Sequence, residues 1–221
     1  MSHINKYHTT LFAQYLKNSL VIAVGTTLGS LVLGTLAGYG FARYRFRFSE
    51  TVRFMVLVMR MAPRAVLVVP YYLLMQRLGL LDTYTGLVVA YVSFALPFSI
   101  WLLIGFFVDV PVDVEEAALI DGCSPLGVLV RIVIPIAAPG LVVAAIFAFL
   151  VAWNEFLFAL ILSGVEAKTL PVVIAGLNTD AGPLYGEMSA AAVMVMLPNI
   201  VMTVVLQRYL VKGLTLGAVK G

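Results

Sequence analysis

Two arginines lie inside a stretch of the chain that is otherwise apolar. Arg60 and Arg64 have the i, i+4 spacing that places two side chains on one face of a helix. A charge at the middle of a bilayer costs about 2.5–3.5 kcal/mol on insertion scales, so such residues usually face a cavity or a partner. We therefore interpret both arginines as lining a polar path or contacting another subunit. The alternative for Arg60 is that its side chain snorkels to the membrane surface.

A second polar group, Trp153-Asn154-Glu155, lies in the middle of another apolar stretch. Hydroxyl-rich ligands are bound by planar polar groups beside aromatic rings, so these three residues could line the path of such a ligand. Glu155 has no basic neighbour in sequence, and a lone buried carboxylate tends to have a raised pKa and to become neutral. Hydrogen bonding between helices explains the group equally well.

The long segment at residues 109–139, between two apolar stretches, predicts a pair of short helices. Asp113 can cap the first helix, and Glu116 can complete a capping box with it. Gly122 is well placed to end this helix in a left-handed turn. Acidic side chains beside the small Ala117 and Ala118 suit insertion into a groove with a basic rim on a partner. The alternative is a solvated connecting loop with capped ends.

The residues after Gly122 predict the second helix of the pair. Ser124 followed by Pro125 is typical of an N-cap with proline at the first helical position. This helix should stop near Pro135, because an internal proline removes a hydrogen bond and clashes with the preceding turn. The segment therefore contains two short helices and a sharp turn at the membrane face.

Composition places much of the chain in lipid. Of the 221 residues, 62% are hydrophobic and 11% are charged, whereas a soluble domain usually has about 25% charged residues. The single Cys123 excludes an internal disulfide, and His3 and His8 form no cluster for a metal ion. The sequence has no G-x-x-x-x-G-K-[ST] phosphate loop, so the chain is not expected to hydrolyse ATP.

Five stretches approach the length of about 20 residues that crosses the hydrocarbon core. They predict an all-α polytopic membrane protein in one transmembrane domain, residues 1–221, because lipid cannot satisfy free backbone groups. The second stretch is the weakest, since charged residues and prolines interrupt it. The predicted spans cover residues 19–42, 54–75, 87–108, 139–162 and 188–210.

Basic residues favour one orientation of these spans. The first loop contains Arg43, Arg45 and Arg47, so the positive-inside rule places it in the cytoplasm. Alternation then places residues 109–138 and the C-terminus in the cytoplasm, and the N-terminus outside. Eight Lys and Arg residues fall on cytoplasmic segments and four on external segments, a twofold bias that supports this topology.

The 109–139 segment also resembles a known signature. Residues 116–118 read Glu-Ala-Ala, Gly122 follows, and residues 132–135 read Ile-Val-Ile-Pro. The spacing resembles the EAA motif of binding-protein-dependent ABC importer permeases, with isoleucine at position 134 where the family has leucine. Other stretches are similar to the carbohydrate-importing, maltose-type subfamily, and to its second permease subunit with a short cytoplasmic tail. These stretches are residues 39–46, 96–101, 152–156 and 213–221.

The resemblance implies a type I ABC importer permease fold and alternating-access import of a carbohydrate, meaning a sugar, an oligosaccharide or a glycerophosphate-like solute. It implies that the EAA loop is a coupling helix seated on an ATP-hydrolysing subunit. This chain would bind no cofactor, since ATP and Mg belong to that partner. The residues expected to couple to the ATPase are Asp113, Glu115, Glu116, Ala117, Ala118, Asp121, Gly122 and Pro135.

The resemblance further implies the assembly and its location. The expected partners are a second permease subunit, two ATP-binding subunits and an extracytoplasmic binding protein, either a lipoprotein or periplasmic. The expected location is the bacterial inner (plasma) membrane, with the tail at residues 211–221 reaching the ATPase dimer interface. The family subunit normally has six spans, so we expect either a truncated front or a subunit that works with five.

Two rival functions are weighed against this interpretation. An ion-coupled secondary transporter or channel would need a coupling-ion site and would not need the EAA loop. An intramembrane enzyme would need a catalytic pair or metal ligands inside a span, and the sequence shows none. The importer permease is therefore the preferred prediction.

Two further features carry structural expectations. Gly25, Gly29, Gly34 and Gly38 predict a close-packing helix surface. The external loop at residues 163–187 contains an apolar run, residues 170–175, and is expected to plug the external mouth of the path or to meet the binding protein. The alternative is a re-entrant turn that packs against neighbouring helices.

Overall fold

The computed structural model describes the backbone of residues 2–45, 47–179, 182–183 and 185–217, and the side chains of residues 12–45, 47–177, 185–186 and 188–209. Two long helices, α1 (Ser2–Arg43) and α4 (Tyr84–Val108), pack side by side over most of their length. The first predicted span, residues 19–42, lies within α1, whose membrane-crossing part ends at Arg43. The third predicted span agrees closely with α4.

The second predicted span is not continuous. It consists of α2 (Ser49–Met59) and α3 (Arg64–Arg77), separated by a break at residues 60–63. Pro63 explains the break, because proline lacks an N–H donor and disfavours the helical conformation in the residue before it. The expectation that Arg60 and Arg64 share one face of a helix is therefore wrong. Arg60 follows the end of α2, and Arg64 begins α3.

The predicted helix pair is present as α5 (Val112–Ile120) and α6 (Pro125–Val128). Gly122 adopts a left-handed conformation with φ +90°. The Cys123 N–H donates to the Ala118 carbonyl at 3.0 Å, and the Gly122 N–H donates to the Leu119 carbonyl at 3.1 Å. These two bonds are a Schellman ending, which confirms the predicted turn. The Ser124 N-cap is also confirmed, since its Oγ accepts the Gly127 N–H at 3.1 Å.

One local prediction for this segment is wrong and another is confirmed. Helix α5 begins at Val112, after Pro111 and without a side-chain cap, so Asp113 lies in the first turn and forms no capping box. The second helix continues from α6 as a π-helical turn, Leu129–Val133, and then as α7 (Ile134–Ile136). It ends one residue after Pro135, which confirms the predicted stop near that proline. The wider turn accommodates a proline that cannot donate a backbone hydrogen bond. The sharp bend, of 83°, comes after Ile136.

The fourth predicted span is also interrupted. It consists of α8 (Ala138–Trp153) and α9 (Leu157–Leu162), with a break at residues 154–156. The Glu155 carboxylate accepts the Phe158 N–H at 3.0 Å, and so satisfies one of the free donors at the start of α9. A side chain inside the span thus stabilises a new helix start and allows the chain to turn.

The predicted external loop has structure of its own. Its apolar run forms α10 (Leu170–Ala175), and two short strands, β1 (Asn178–Thr179) and β2 (Gly182–Pro183), pair antiparallel after it. Helix α10 packs against α1 and against the last helix, α11 (Tyr185–Gly217), and its Leu170 and Val172 are buried. This packing is what the re-entrant alternative expects. Two acids of this loop, Asp180 and the side chain of Glu187, lie outside the described residues.

Length and composition select three of the described helices as able to cross a membrane. They are the apolar parts of α1, α4 and α11, and the bent pair formed by residues 125–136 and α8 would be a fourth. The fold class is confirmed as all-α and polytopic, whereas continuous second and fourth spans are not found. The apolar stretch of α11 is only 6% buried within the chain, against 39% for α4. The predicted tail continues α11 through Gly217, and residues 218–221 lie outside the described part.

The predicted glycine surface forms the contact between α1 and α4. A Cβ atom added at Gly34 would lie 3.1 Å from the Ser99 Cβ, and one added at Gly38 would lie 3.2 Å from the Leu103 Cβ. Small residues allow two backbones to approach this closely in lipid, where the hydrophobic effect does not drive helices together. The close-packing prediction is confirmed for these positions.

A second cluster of contacts, here called the Asp82 clasp, joins the turn before α4 to residues 163–170. The Asp82 carboxylate accepts four backbone N–H bonds, from residues 164–167, at 2.7–3.1 Å. Asn18 on α1 donates to the carbonyls of Glu166 and Lys168, and accepts from the Tyr84 hydroxyl at 2.7 Å. The clasp therefore holds one end of α1 and α4 against the segment that follows α9.

The clasp predicts an acid-sensitive contribution to stability. Burial raises the pKa of Asp82, but the four N–H donors outweigh it and lower the pKa from 3.8 to about 2. A depressed folded-state pKa gives stability that is present above about pH 4 and is lost as the pH falls toward 2. We expect Asp82→Asn to lower the free energy of unfolding by about 1–3 kcal/mol at pH 7.

Thermal melting of the detergent-solubilised protein at a series of pH values checks this expectation. The difference in Tm between the unchanged protein and Asp82→Asn should shrink as the pH falls from 4. Asp109→Asn, an exposed aspartate outside the clasp, is the matched control and should melt like the unchanged protein. If Asp82→Asn and the unchanged protein had the same Tm at pH 7, the clasp would not contribute to stability as expected.

A tight contact at the start of α8 gives a packing prediction. A Cβ added at Gly140 would lie 2.2 Å from Cγ of Phe106 on α4, whereas nothing lies within 4 Å of a Cβ added at Gly105. Gly140→Ala should therefore destabilise the protein by about 1–3 kcal/mol through overpacking. Gly105→Ala should be neutral or slightly stabilising, because alanine favours a helix.

Denaturant-dependent loss of helical circular dichroism measures both variants. In a Phe106→Ala background, which lacks the opposing Cγ, Gly140→Ala should cost less stability than it does in the unchanged protein. A Gly140→Ala protein as stable as Gly105→Ala would show that α4 and α8 are not in close contact at this point.

Candidate functional site

Helix α5 presents two different faces. Glu115 and Ala118 are buried against the chain itself, whereas Glu116, Ala117 and Leu119 are exposed. The set of predicted coupling residues therefore divides into an inward pair and an outward group. Two residues of the outward group, Asp113 and Asp121, lie near the ends of the helix, and Gly122 and Pro135 are exposed after it.

The inward face of α5 is attached to the end of α1 by a buried ion pair. Arg43 Nε donates to one Glu115 oxygen at 2.7 Å, and the Tyr39 hydroxyl donates to the other at 2.8 Å. The Arg43 guanidinium also donates to the Val110 carbonyl at 2.8 Å. The Arg43 and Glu115 side chains are 11% and 6% exposed. Charge-assisted, two-point bonding of this kind fixes both position and orientation.

The outward face of α5 combines apolar and acidic groups. Ile120 is 86% exposed and Leu119 is 46% exposed. After the Gly122 turn, Leu126 and Val130 continue the apolar surface, at 64% and 55% exposure. A protruding apolar patch beside exposed carboxylates is typical of a surface that another protein covers.

An ion pair connects the two helix breaks, with the Glu155 side chain 6% exposed and that of Arg64 46% exposed. Arg64, at the start of α3, donates to the Glu155 carboxylate at 2.7 Å across 91 positions of sequence. Glu155 is 6% exposed and also caps α9. The interpretation of Glu155 as a lone carboxylate is therefore wrong, because its cationic partner comes from a different span.

Both arginines of the first break lie over aromatic rings of α4. The guanidinium carbon of Arg60 lies 4.3 Å from the Phe98 ring centroid, and that of Arg64 lies 5.5 Å from the Phe94 centroid. These are cation–π distances. A small cavity of about 130 Å³, here called the break cavity, lies between them. Its walls include Arg60, Arg64, Ser93, Phe94, Phe98 and Phe147.

Trp153 and Asn154 make contacts between helices. The Trp153 indole N–H donates to the Val195 carbonyl of α11 at 3.1 Å, and Trp153 is 2% exposed. Asn154 and Asn199 exchange two side-chain hydrogen bonds at 2.9 and 3.0 Å. These are the bonds that the alternative interpretation of this group expects, and a path-lining role for the two residues stays a prediction.

Three residues bind predicted site residues but are not predicted as their partners from the sequence. Tyr39 and Arg43 bind Glu115, and Asn199 binds Asn154, over separations of 45–76 positions. Arg43 was assigned only to a basic loop. A buried acid in the EAA segment needs a cationic partner. The basic cluster of the first loop is predicted on the same side of the membrane, so it could have indicated Arg43 as that partner.

The family model described as binding-protein-dependent transport system inner membrane component matches residues 30–216. The chain is 40% identical over 214 residues to "Trehalose transport system permease protein SugB" of Mycobacterium tuberculosis (strain CDC 1551 / Oshkosh), covering 96% of this chain and 78% of the relative. It is 38% identical to "Trehalose/maltose transport system permease protein MalG" of Thermococcus litoralis (strain ATCC 51850 / DSM 5473 / JCM 8560 / NS-C), covering 96% and 77%.

Solved structures agree with these relatives. The chain is similar to a chain of a bacterial ABC transporter involved in the import of the acidic polysaccharide alginate, with a TM-score of 0.73 and 25% identity, over 90% of this chain and 75% of that one. It also has the fold of a chain of the MetNI methionine ABC transporter, with a TM-score of 0.70 and 18% identity, over 91% and 97%. The type I importer permease fold is thus confirmed.

These matches decide between the function classes left open by the sequence. The family is the non-catalytic permease component of ABC transporters, in which a partner subunit hydrolyses ATP, and its members are multi-pass proteins of the inner membrane. An ion-coupled carrier or an intramembrane enzyme does not fit a family match over residues 30–216. The chain belongs to the family of binding-protein-dependent transport system inner membrane components.

Proposed function

We propose that this chain carries a carbohydrate across the membrane by alternating access, driven by ATP hydrolysis in a partner on which α5 docks. The observation that carries the proposal is the division of α5 into two faces. Glu115 anchors the helix to α1, while Glu116, Ala117 and the exposed Leu119 and Ile120 face outward. A helix fixed on one side and free on the other can transmit a displacement between two bodies.

The proposed assembly is the one that membership of the family implies. The complex contains a second permease, two ATP-binding subunits that hold ATP and Mg, and an extracytoplasmic binding protein. The bare apolar face of α11, which is 6% buried, supports a membrane or permease neighbour there. The carbohydrate assignment is supported by relatives named for the transport of trehalose, of trehalose and maltose, and of diacetylchitobiose.

The orientation proposed is an external N-terminus and a cytoplasmic EAA segment. Arg43, which begins the basic loop, contacts Glu115 of the EAA segment, so these two regions lie at one end of the bundle. The Asp82 clasp lies at the other end of α1 and α4. This arrangement supports a cytoplasmic docking face and an external face formed by the clasp and α10.

The solute path is proposed to pass the two helix breaks, with Arg60, Arg64 and Glu155 at its wall. The Glu155 side chain is 6% exposed, whereas that of Arg64 is 46% exposed, and Arg60 is exposed as well. Charges that lie within a bilayer are costly unless they serve a path or an interface. Trp153 and Asn154 hold α11 beside this region through their bonds to Val195 and Asn199.

Reversal of charge on the outward face tests docking. We expect Glu116→Lys to reduce co-purification of the ATPase subunit at least tenfold, because it places a cation against the proposed basic rim. The protein should still reach the membrane at normal yield, since Glu116 is exposed and its side chain has no described partner within the chain.

The control is Glu50→Lys, which reverses a second exposed acid. The Glu50 side chain is 83% exposed, and its surface ion pair with Arg53 in the same turn contributes little to stability. Affinity purification of the complex through a tag on this chain measures both variants. Normal recovery of the ATPase subunit with Glu116→Lys, or an equal loss of it with Glu50→Lys, would show that the outward face of α5 is not the docking surface.

Neutralising the anchor tests transmission separately from docking. Breaking one side of a buried ion pair costs about 3–5 kcal/mol, so Glu115→Gln should loosen α5 from α1. Because the outward face is unchanged, we expect the ATPase to stay bound while the amount of solute transported per ATP hydrolysed falls several-fold.

Proteoliposomes that contain the complex, assayed in the presence of the binding protein, give the rate of solute transport and the rate of ATP hydrolysis. Glu166→Gln, an exposed acid in the clasp segment whose backbone rather than side chain makes the contacts, is the control. If Glu115→Gln transports as much solute per ATP as the unchanged complex, the Arg43–Glu115 pair does not transmit the movement.

A further inference from the structure

The break cavity has an uneven balance of charge. Arg64 pairs with Glu155, but Arg60 has no carboxylate within 4.0 Å among the residues whose side chains the structure describes. Two cations and one anion therefore leave one positive charge at the junction of the two breaks. Within a bilayer such a charge is costly until an anion or water reaches it.

The way in which Arg60 is held leaves it able to bind a ligand. Its guanidinium lies over the Phe98 ring, with 4.3 Å between the carbon and the centroid. Stacking uses the flat face of the guanidinium, while its N–H donors lie in the plane and remain available for a planar or tetrahedral anion. The ring also limits the positions that the side chain can adopt, which lowers the entropy cost of binding.

The size and walls of the cavity suit a small charged group. Its volume of about 130 Å³ equals roughly four water molecules at about 30 Å³ each, which is enough for a carboxylate, sulfonate or phosphate group. Phe94, Phe98 and Phe147 form part of the wall, beside Arg60 and Arg64, which are both exposed. These rings displace part of the water around a bound anion, and the lower local dielectric strengthens its attraction to a guanidinium.

We propose that the break cavity binds an anionic group of the transported solute, with Arg60 as the main donor and Arg64 as a second. The solute is then an acidic carbohydrate, carrying a carboxylate, sulfonate or phosphate, rather than a neutral one. This inference rests on the proposed function, because the solute must pass the breaks. An uncharged sugar would leave the charge of Arg60 uncompensated at this point.

The test uses the complex with its second permease and ATPase subunits in nanodiscs, without the binding protein. Calorimetric titration compares methyl glucuronide with methyl glucoside, which differ by a carboxylate in place of a hydroxymethyl group. We expect the glucuronide to bind at least tenfold more tightly than the glucoside. Arg60→Gln should raise the Kd for the glucuronide at least tenfold. Raising the salt concentration should weaken glucuronide binding alone.

The matched control is Arg47→Gln, which removes another arginine stacked on an aromatic ring, with its guanidinium carbon 5.4 Å from the Phe48 centroid. It should bind the glucuronide like the unchanged complex. Equal affinity for the two sugars, or unchanged affinity in Arg60→Gln, overturns the proposal. Equal affinity for inorganic phosphate assigns the site to free anions and also overturns it.

Two further results separate this inference from its alternatives. If Arg60→Gln loses the second permease on size-exclusion chromatography while the remainder binds glucuronide normally, Arg60 pairs with that subunit and the proposal fails. The docking test with Glu116→Lys does not depend on the charge of the sugar. A failed docking test beside intact glucuronide binding would therefore contradict the proposed function and leave the cavity assignment standing.

Discussion

The buried contact between Arg43 and Glu115 is the constraint on which the arrangement of the functional surfaces depends. Glu115 is 6% exposed, and an unpaired carboxylate at that depth would be strongly destabilising. Because the pair satisfies both oxygens of Glu115 with Arg43 and Tyr39, α5 has one orientation against α1. That orientation decides which residues of the EAA motif face outward.

A second ion pair, between Arg64 and Glu155, stabilises the two broken spans. Two spans break at residues 60–63 and 154–156, and each break frees backbone groups that lipid cannot satisfy. Glu155 caps α9 and also accepts from Arg64 at the start of α3. One carboxylate therefore stabilises both breaks, and the second arginine, Arg60, is left to the cavity between them.

Sequence reasoning succeeded where the deciding interaction is local. The Gly122 turn, the Ser124 cap and the glycine surface of α1 depend on a few neighbouring residues or on helical spacing, and all were confirmed. It failed where distant residues compete. The break at Pro63 overrode the apolar run of the second span, and the partner of Glu155 is 91 positions away. The capping box failed because α5 begins at Val112, before the proposed cap.

The geometry of α1 connects the two ends of the molecule. From Asn18 in the clasp to Arg43 at the α5 anchor is 25 residues, or roughly 38 Å at about 1.5 Å per residue, somewhat more than the hydrocarbon core of about 30 Å. Between these points, glycines such as Gly34 hold α1 against α4 at near-minimal separation. Close packing resists sliding of one helix along the other. A displacement of α5 is therefore transmitted to the clasp by α1 and α4 moving together as one rigid pair. The two broken spans beside this pair have irregular backbone that can absorb a change in angle.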